Sequence, residues 1–310
     1  MKILKLNNLG FGHLMVPLFL VLGTGIFGSY MVVKSHATSL NPNTTKVMPV
    51  FNSATKKIYL AANKATKTNK NTTENNGCLI ENNACYFWIG AEQTQATPFA
   101  ADGATVSMLQ AAPKVPATDY HSLSELYVGS ANSLQGIEVG WMTTPQNPKP
   151  RLWVFHWVNG NPTCYDGCGF VALKSKTPLG TALKVGAVGT FKIYISGNKW
   201  YVSYNGSNIG YFPLALWSSN NAIFQTVSTV LIYAETCTSD TQTSHTQMGN
   251  GLSGILAQSA YFSDYHLINS ATPSVLTPFQ YDSYGSAYSI SRETATGFHY
   301  GGPGGMPSPL

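Results

Sequence analysis

The stretch GTFKIYISGNKWYVSY, residues 189–204, decides how this chain folds. Phe191–Ile195 and Trp200–Tyr204 are rich in the aromatic and β-branched residues that favour strands. Ser196, Gly197 and Asn198 stand between the two runs and are typical of a tight turn. We therefore predict an antiparallel hairpin, which needs further strands elsewhere in the chain to bury its apolar face.

Those further strands are supplied by short apolar or alternating runs that recur between Gly, Asn and Pro residues. No segment after residue 37 sustains the periodicity of a helix. Many short strands separated by turn signals predict an all-β protein, an antiparallel β-sandwich. The remaining predicted strands are Leu126–Val128, Gly136–Trp141, Leu152–Val158, Ile209–Phe212, Thr229–Glu235 and Ala260–His266.

Charge is spread unevenly along the 310 residues. Residues 1–80 carry a net charge of +8, whereas residues 81–310 carry −3. A nucleic-acid-binding domain needs a basic patch on its folded part, so we expect no nucleic-acid partner. Only 10% of all residues are charged, which also argues against a charged, disordered protein.

The first 37 residues have the pattern of an export signal. Lys2 and Lys5 precede an apolar run over residues 14–33, and Ser35-His36-Ala37 suits a signal peptidase. The run is long enough to span a bilayer, so both a cleaved signal peptide and an uncleaved signal-anchor remain open. Either way the rest of the chain faces outward, and we expect a secreted or extracellular cell-surface protein. In the signal-anchor case, residues 14–33 are the membrane tether.

Composition divides the rest of the chain into three parts. Residues 38–80 are polar and rich in Lys, Asn and Thr, which predicts a linker or stalk. Residues 81–270 contain the predicted strands and form the folded domain. Residues 271–310 are rich in Gly, Pro and Ser, which predicts a disordered tail.

The five cysteines agree with export. Cys78 with Cys85, and Cys164 with Cys168, are spaced for small local disulfides in an oxidising compartment. A zinc site built from the two pairs is the competing interpretation, although neither pair has the Cys-x-x-Cys spacing. Cys237 is the odd one, either a buried thiol or a sign of different pairing.

Two glutamates in apolar strands are the candidate catalytic groups. Glu138 lies opposite to Ile137, Val139 and Trp141 by strand alternation, and the glycines beside it predict open space for a ligand. Glu235 shares a face with Leu231 and Tyr233. A pair of desolvated carboxyl groups, one ionised and one protonated, can activate a water and protonate a leaving group. The competing interpretation is that each glutamate faces solvent.

Other catalytic motifs are missing from the sequence. It has no His-Glu-x-x-His, no Gly-x-Ser-x-Gly and no glycine-rich phosphate loop followed by Lys. We therefore expect neither a metal nor a cofactor.

Five stretches, in order, resemble the neprosin family of secreted glutamic peptidases, which are prolyl endopeptidases. The resemblance covers about residues 83–270. The matching stretches are Ile137–Trp141, Thr163–Phe170, Gly210–Pro213, Ser244–Gly251 and Ser259–Phe262.

The resemblance implies a sandwich of two curved sheets, with two catalytic glutamates on the concave face that carry over to Glu138 and Glu235. It implies an endopeptidase that acts on a peptide or protein substrate at proline, in acid. Gln247 and Tyr233 are candidates to stabilise the oxyanion. Trp141 and Trp157 are candidates to receive proline, although core packing is the favoured role for each. A non-catalytic module that binds cell wall, carbohydrate or peptide is the alternative function, and it would not need both glutamates.

Overall fold

The computed structural model describes residues 79–81, 84–220, 222–239, 244–281 and 287–305. These residues form sixteen strands and one short helix. The strands are β1 Leu79–Glu81, β2 Ala84–Thr94, β3 Gly103–Leu109, β4 His121–Gly129, β5 Gly136–Thr143, β6 Arg151–Val158, β7 Asn161–Pro162, β8 Val171–Ala172, β9 Val188–Ser196, β10 Lys199–Tyr204, β11 Ser207–Pro213, β12 Thr229–Thr238, β13 Ala260–Ile268, β14 Thr277–Tyr281, β15 Ser289–Thr294 and β16 Gly297–Gly301, and the helix is α1 Ala215–Ser218.

The strands form two antiparallel sheets, as the sequence predicts. Sheet A has the order β1-β2-β12-β4-β5-β6-β7, and β14 also pairs with β2. Sheet B has the order β15-β16-β13-β3-β9-β10-β11-β8. The predicted hairpin is β9 and β10, in which Lys199 pairs with Ser196 and Tyr204 with Phe191. One of the two sheets curls into a half-barrel.

The main core lies on one face of each sheet, where strand alternation places the apolar side chains. From β5 it receives Ile137, Val139 and Trp141, and from the hairpin Phe191 and Trp200. All five side chains are fully buried. Burying a large apolar side chain stabilises the fold by about 1.5–3 kcal/mol, so this face fixes the register of each strand.

The opposite face of sheet A carries a second apolar cluster, which we call the aromatic face. Most of its members are large rings that stand on alternate positions of β2, β4, β5, β6 and β12. Its buried residues are Ala84, Tyr86, Trp88, Leu123, Tyr127, Met142, Trp153, Phe155, Trp157, Leu231, Tyr233 and Cys237. Each of these residues is at most 9% exposed, so this face of sheet A is a second buried cluster and not a solvated sheet surface.

The prediction of a disordered tail over residues 271–310 is wrong for the described residues up to 305. Strand β14 pairs with β2 of sheet A, and β16 pairs with β13 of sheet B. Tyr288, Phe298 and Tyr300 are buried in the core. These aromatic residues supply burial that the Gly-, Pro- and Ser-rich composition concealed, so the folded domain extends beyond residue 270.

The predicted signal segment, residues 1–37, lies outside the described residues, as does the linker at 38–80 apart from its last two residues. Within the part of the chain that the structure describes, no helix is long and apolar enough to cross a membrane.

Candidate active site

Glu138 stands on the aromatic face of sheet A, on the side of β5 that alternation predicts. Its neighbours across the sheet are Tyr127 on β4 and Phe155 on β6. It is 7% exposed. A carboxyl group buried to this extent must be held by hydrogen bonds, because an unpaired one is costly.

Two aromatic donors hold the Glu138 carboxyl group. The indole Nε1–H of Trp157 donates to Oε1 at 3.0 Å, and the Tyr233 hydroxyl donates to the same oxygen at 3.3 Å. Trp157 is thus part of the aromatic face and binds the glutamate directly. Tyr233, an expected oxyanion donor, therefore lies next to Glu138.

The glycines beside Glu138 do not leave the open space that the sequence predicts. A Cβ at Gly136 would collide with the ring of Tyr127, and one at Gly140 with the Ser124 carbonyl. Here glycine permits close approach of the neighbouring strand, not of a ligand.

Glu235 stands on the same face, on β12, and is 6% exposed. It pairs across the sheet with Trp88 on β2 and Leu123 on β4. The indole Nε1–H of Trp88 donates to Oε2, and Nε2 of His121 lies 2.8 Å from Oε1. Donors to both oxygens favour the ionised form of a carboxyl group.

A third carboxyl group, Glu125, lies between the two predicted ones. It pairs with Tyr233 on β12 and with Gly140 on β5, and it is 1% exposed. Glu138 and Glu235 each stand two residues along a neighbouring strand, so each is a diagonal neighbour of Glu125 at roughly 7–8 Å between Cα atoms. We call Glu125, Glu138 and Glu235 the carboxyl site.

The ring of Tyr165 lies against the carboxyl site and marks where the three groups converge. Burial raises the pKa of the Tyr165 hydroxyl well above its ordinary value, and the charges of Glu235, Glu138 and Glu125 raise it further. Its ring centroid is 5.3 Å from that of Trp153 and 5.0 Å from that of Phe155. Tyr165 therefore remains a neutral hydroxyl beside the three glutamates.

The loop that carries Tyr165 is closed by the predicted disulfide between Cys164 and Cys168. Asp166 ties the loop to β6, since its Oδ1 accepts a hydrogen bond from the Val154 amide at 2.9 Å. A short covalent loop fixed at both ends holds Tyr165 in place with little loss of entropy on binding.

The other cysteines are accounted for in part. Cys85 is disulfide-bonded, and its predicted partner Cys78 lies outside the described residues. Cys237 is a buried cysteine on the aromatic face and carries a thiol. Across the residues that the structure describes, no group of three or more His, Cys, Asp or Glu side chains could hold a metal ion.

Trp141 does not serve the site. It lies in the core between the sheets and is fully buried, on the face opposite to Glu138. Its candidate role in receiving a proline ring is therefore wrong, and core packing, the role that the sequence favoured, is the one it has.

Gln247 is also directed elsewhere. Its side-chain Oε1 accepts a hydrogen bond from the backbone N–H of Lys114 at 2.9 Å, and its backbone N–H donates to the Lys114 carbonyl. The preceding Thr246 donates to Asp119 at 2.6 Å, and the following Met248 is fully buried. This stretch of the sequence thus fastens a loop to the sandwich, and the structure does not bring Gln247 to the glutamates.

Trp88, His121 and Glu125 were missed by the reasoning from sequence. For His121 and Glu125 a signal existed in the alternation of β4. They occupy the same face as Leu123 and Tyr127, and the core residue Leu126 lies on the other face. What the alternation could not give was the neighbouring strand, since Trp88 and Glu235 are 147 residues apart.

The Neprosin family profile matches residues 118–303, more than half of the chain, and the chain belongs to this family. Membership supports a peptidase. No relative was found among curated proteins.

Among solved structures, similar folds include scytalido-glutamic peptidase with a peptide-based transition state analog, at 11% identity over 70% of this chain and 97% of that chain, with a TM-score of 0.41. SCP-B, a member of the eqolisin family of peptidases in complex with the tripeptide Ala-Ile-His, matches at 9% identity over 70% and 97%, with a TM-score of 0.38. A tetrameric galectin from the ball sponge Cinachyrella sp. matches at 11% identity over 57% and 99%, with a TM-score of 0.30. Similarities this distant do not define the site.

Proposed function

We propose that this chain is a glutamic endopeptidase that uses Glu138 and Glu235 to hydrolyse peptide bonds with an activated water. The observation that carries the proposal is the pair of buried glutamates on one apolar face, each fixed by aromatic or imidazole donors. A sheet face that needed glutamates only for solubility would leave them exposed. Membership of the Neprosin family supports the same activity.

The register of sheet A sets the separation of the two groups. Glu138 pairs with Tyr127 and Glu235 with Leu123, so their Cα atoms are two strands and four residues apart, roughly 16 Å in a flat sheet. Two glutamate side chains that reach towards each other, on a sheet that curves, shorten this gap. Tyr233 bridges it, since it belongs to β12 like Glu235 and its hydroxyl reaches Glu138.

In the proposed reaction one glutamate is ionised and removes a proton from water as the water attacks the peptide carbonyl carbon. The other is protonated and donates to the carbonyl oxygen, as the Tyr233 hydroxyl could also do. Three buried carboxyl groups cannot all be charged at close range, so part of the carboxyl site stays protonated. Activity is therefore expected to peak in acid.

We propose proline as the preferred residue at the cleaved bond. Trp153, Phe155, Trp157 and Tyr165 form a continuous aromatic wall, in which Phe155 and Trp157 have ring centroids 5.3 Å apart. Flat apolar rings suit the compact ring of proline, whose burial needs no hydrogen-bond donor. The family resemblance supports this choice.

Export is proposed on the sequence of residues 1–37. The Cys164–Cys168 disulfide agrees with an oxidising compartment outside the cytosol. Whether the signal is cleaved or remains as a tether distinguishes a secreted from a surface-bound enzyme.

The test is hydrolysis of quenched peptides that carry either proline or alanine at the cleaved position, from about pH 3 to pH 8. Glu138→Gln and Glu235→Gln should each lower kcat/KM by at least about a hundredfold, because each removes a proton-transfer group. Glu293→Gln is the matched control, since Glu293 is exposed on β15. Cleavage that survives either site substitution would contradict the assignment, and a folded wild type without cleavage would favour a binding module.

A further inference from the structure

We propose that His121 is a positioning residue for the carboxyl site: as an imidazolium it holds Glu235 ionised and so makes Glu235 the base and Glu138 the acid. This inference rests on the proposed peptidase function for its catalytic consequence. Its electrostatic part concerns the resting protein and can be tested without substrate.

The contact between His121 and Glu235 is direct and buried. Nε2 of His121 lies 2.8 Å from Oε1 of Glu235, and the His121 side chain is about 1% exposed. Because both side chains are buried, a positive charge on the imidazole ring would interact with the carboxylate far more strongly than it would at the protein surface. The pair is therefore able to determine which state of Glu235 is populated.

The two nitrogens of His121 have different tasks. In the proposed arrangement Nε2 carries a hydrogen and donates it to Oε1 of Glu235, and Nδ1 does not contact the glutamate. No described residue makes a hydrogen bond to Nδ1.

Several other titratable groups lie around His121 on the neighbouring strands and loops. From β2, Tyr86 lies with its ring centroid 6.4 Å away, and burial raises its pKa far above the working range. From β12, Cys237 pairs with His121 across the sheet. Glu125 stands four residues along β4 on the same face, and Tyr165 on the disulfide loop stays neutral.

Nearer in sequence to His121, Asp119 turns both carboxyl oxygens to the loops. Oδ2 accepts a hydrogen bond from Thr246 at 2.6 Å, and Oδ1 accepts from the Ser239 amide at 3.3 Å. Tyr120, between them, has a raised pKa, chiefly through burial, and remains a neutral hydroxyl.

Glu138 differs in the donors that the structure gives it. Trp157 and Tyr233 are neutral, whereas Glu235 contacts a side chain that can carry a positive charge. An opposite charge within about 4–6 Å lowers the pKa of a carboxyl group by about 1–3 units. In the proposed arrangement Glu235 is the ionised group and Glu138 the protonated one.

The reaction balances with these roles. Glu235 takes a proton from water as the water oxygen bonds to the carbonyl carbon, and Glu138 gives its proton to the carbonyl oxygen. As the C–N bond breaks, Glu235 gives its proton to the departing nitrogen, and the hydroxyl returns a proton to Glu138. Both glutamates end as they began, and one water has been consumed.

The experiment compares wild type with His121→Gln in the complete folded chain. Glutamine keeps a neutral N–H donor near the position of Nε2 but cannot be charged. The acid limb of the kcat/KM profile should move to higher pH by about 1 unit or more, because Glu235 loses its cation. His156→Gln is the matched control, since His156 is buried on the opposite face of sheet A against Thr163, and its acid limb should not move.

A second readout is independent of activity. In protein with ¹³C-labelled glutamate, the carboxyl signal that disappears in Glu235→Gln reports the titration of Glu235. Its midpoint should rise by about 1 unit or more in His121→Gln and stay unchanged in His156→Gln. An unchanged midpoint, or a loss of activity that is uniform across pH, would overturn the role of His121. If the Glu235 midpoint shifts as expected but the wild type does not cut the peptides, the peptidase function is refuted and the role of His121 stands.

Discussion

His156 makes a sharp prediction about stability in acid. This histidine lies on β6 in the core, 1% exposed, with its ring centroid 4.6 Å from that of Phe212 and 5.8 Å from that of Trp217. Burial lowers the pKa of His156 to about 4. The folded state therefore keeps the ring neutral in a range where the unfolded chain has already bound a proton.

The sign and size follow from that difference in pKa. The stability contributed by a neutral His156 is complete above the unfolded pKa of about 6.5 and is lost as the pH falls through about 4. Between pH 7 and pH 4 the loss is roughly 3 kcal/mol, which is a large fraction of the 5–15 kcal/mol that stabilises an ordinary domain.

The substitution His156→Gln isolates this contribution. At pH 7 the variant should be less stable than wild type, because it loses the ring contacts. At pH 4 the gap in unfolding free energy should shrink by roughly 3 kcal/mol, since glutamine does not titrate. Urea unfolding followed by tryptophan fluorescence at several pH values measures the gap. A gap that stays constant between pH 7 and pH 4 would refute the reasoning.

Three further predictions concern the site and the fold. Trp157→Phe keeps the ring but loses the N–H that donates to Glu138, and kcat/KM should fall about tenfold to a hundredfold in a protein of unchanged Tm; equal activity would mean that this hydrogen bond does not matter. Glu125→Gln mimics a protonated carboxyl group and should keep kcat/KM within about tenfold of wild type, whereas a larger loss would show that Glu125 works as a carboxylate. A chain ended after Ser270 loses three buried aromatic side chains, each with about 1.5–3 kcal/mol of stabilisation, and should not fold; a cooperative melting transition would contradict this.

The sequence predicted what depends on local pattern. Alternation placed Glu138 opposite to Ile137, Val139 and Trp141, and the structure confirms that face. The same alternation favoured core packing for Trp141, and the structure places it in the core. The Cys164–Cys168 disulfide was readable because both partners lie within one short loop.

What the sequence could not predict depends on which strands become neighbours. Trp88 and His121 reach Glu235 only because β12 inserts between β2 and β4. Alternation gives the face of a strand but not its partner. The fold of the tail was not predicted for a different reason. Glycine, proline and serine dominate its composition, but the aromatic residues Phe298 and Tyr300 are buried completely or nearly so.

The insertion of β12 between β2 and β4 also sets when the proposed site can assemble during synthesis of the chain. Strands β2 and β4 leave the ribosome first, but the strand that separates them is made about a hundred residues after β4. Until it arrives, Glu138 has been made and its counterpart has not. Pairings between such remote segments form slowly. A chain in the course of synthesis therefore holds only half of its proposed catalytic pair until β12 has been made.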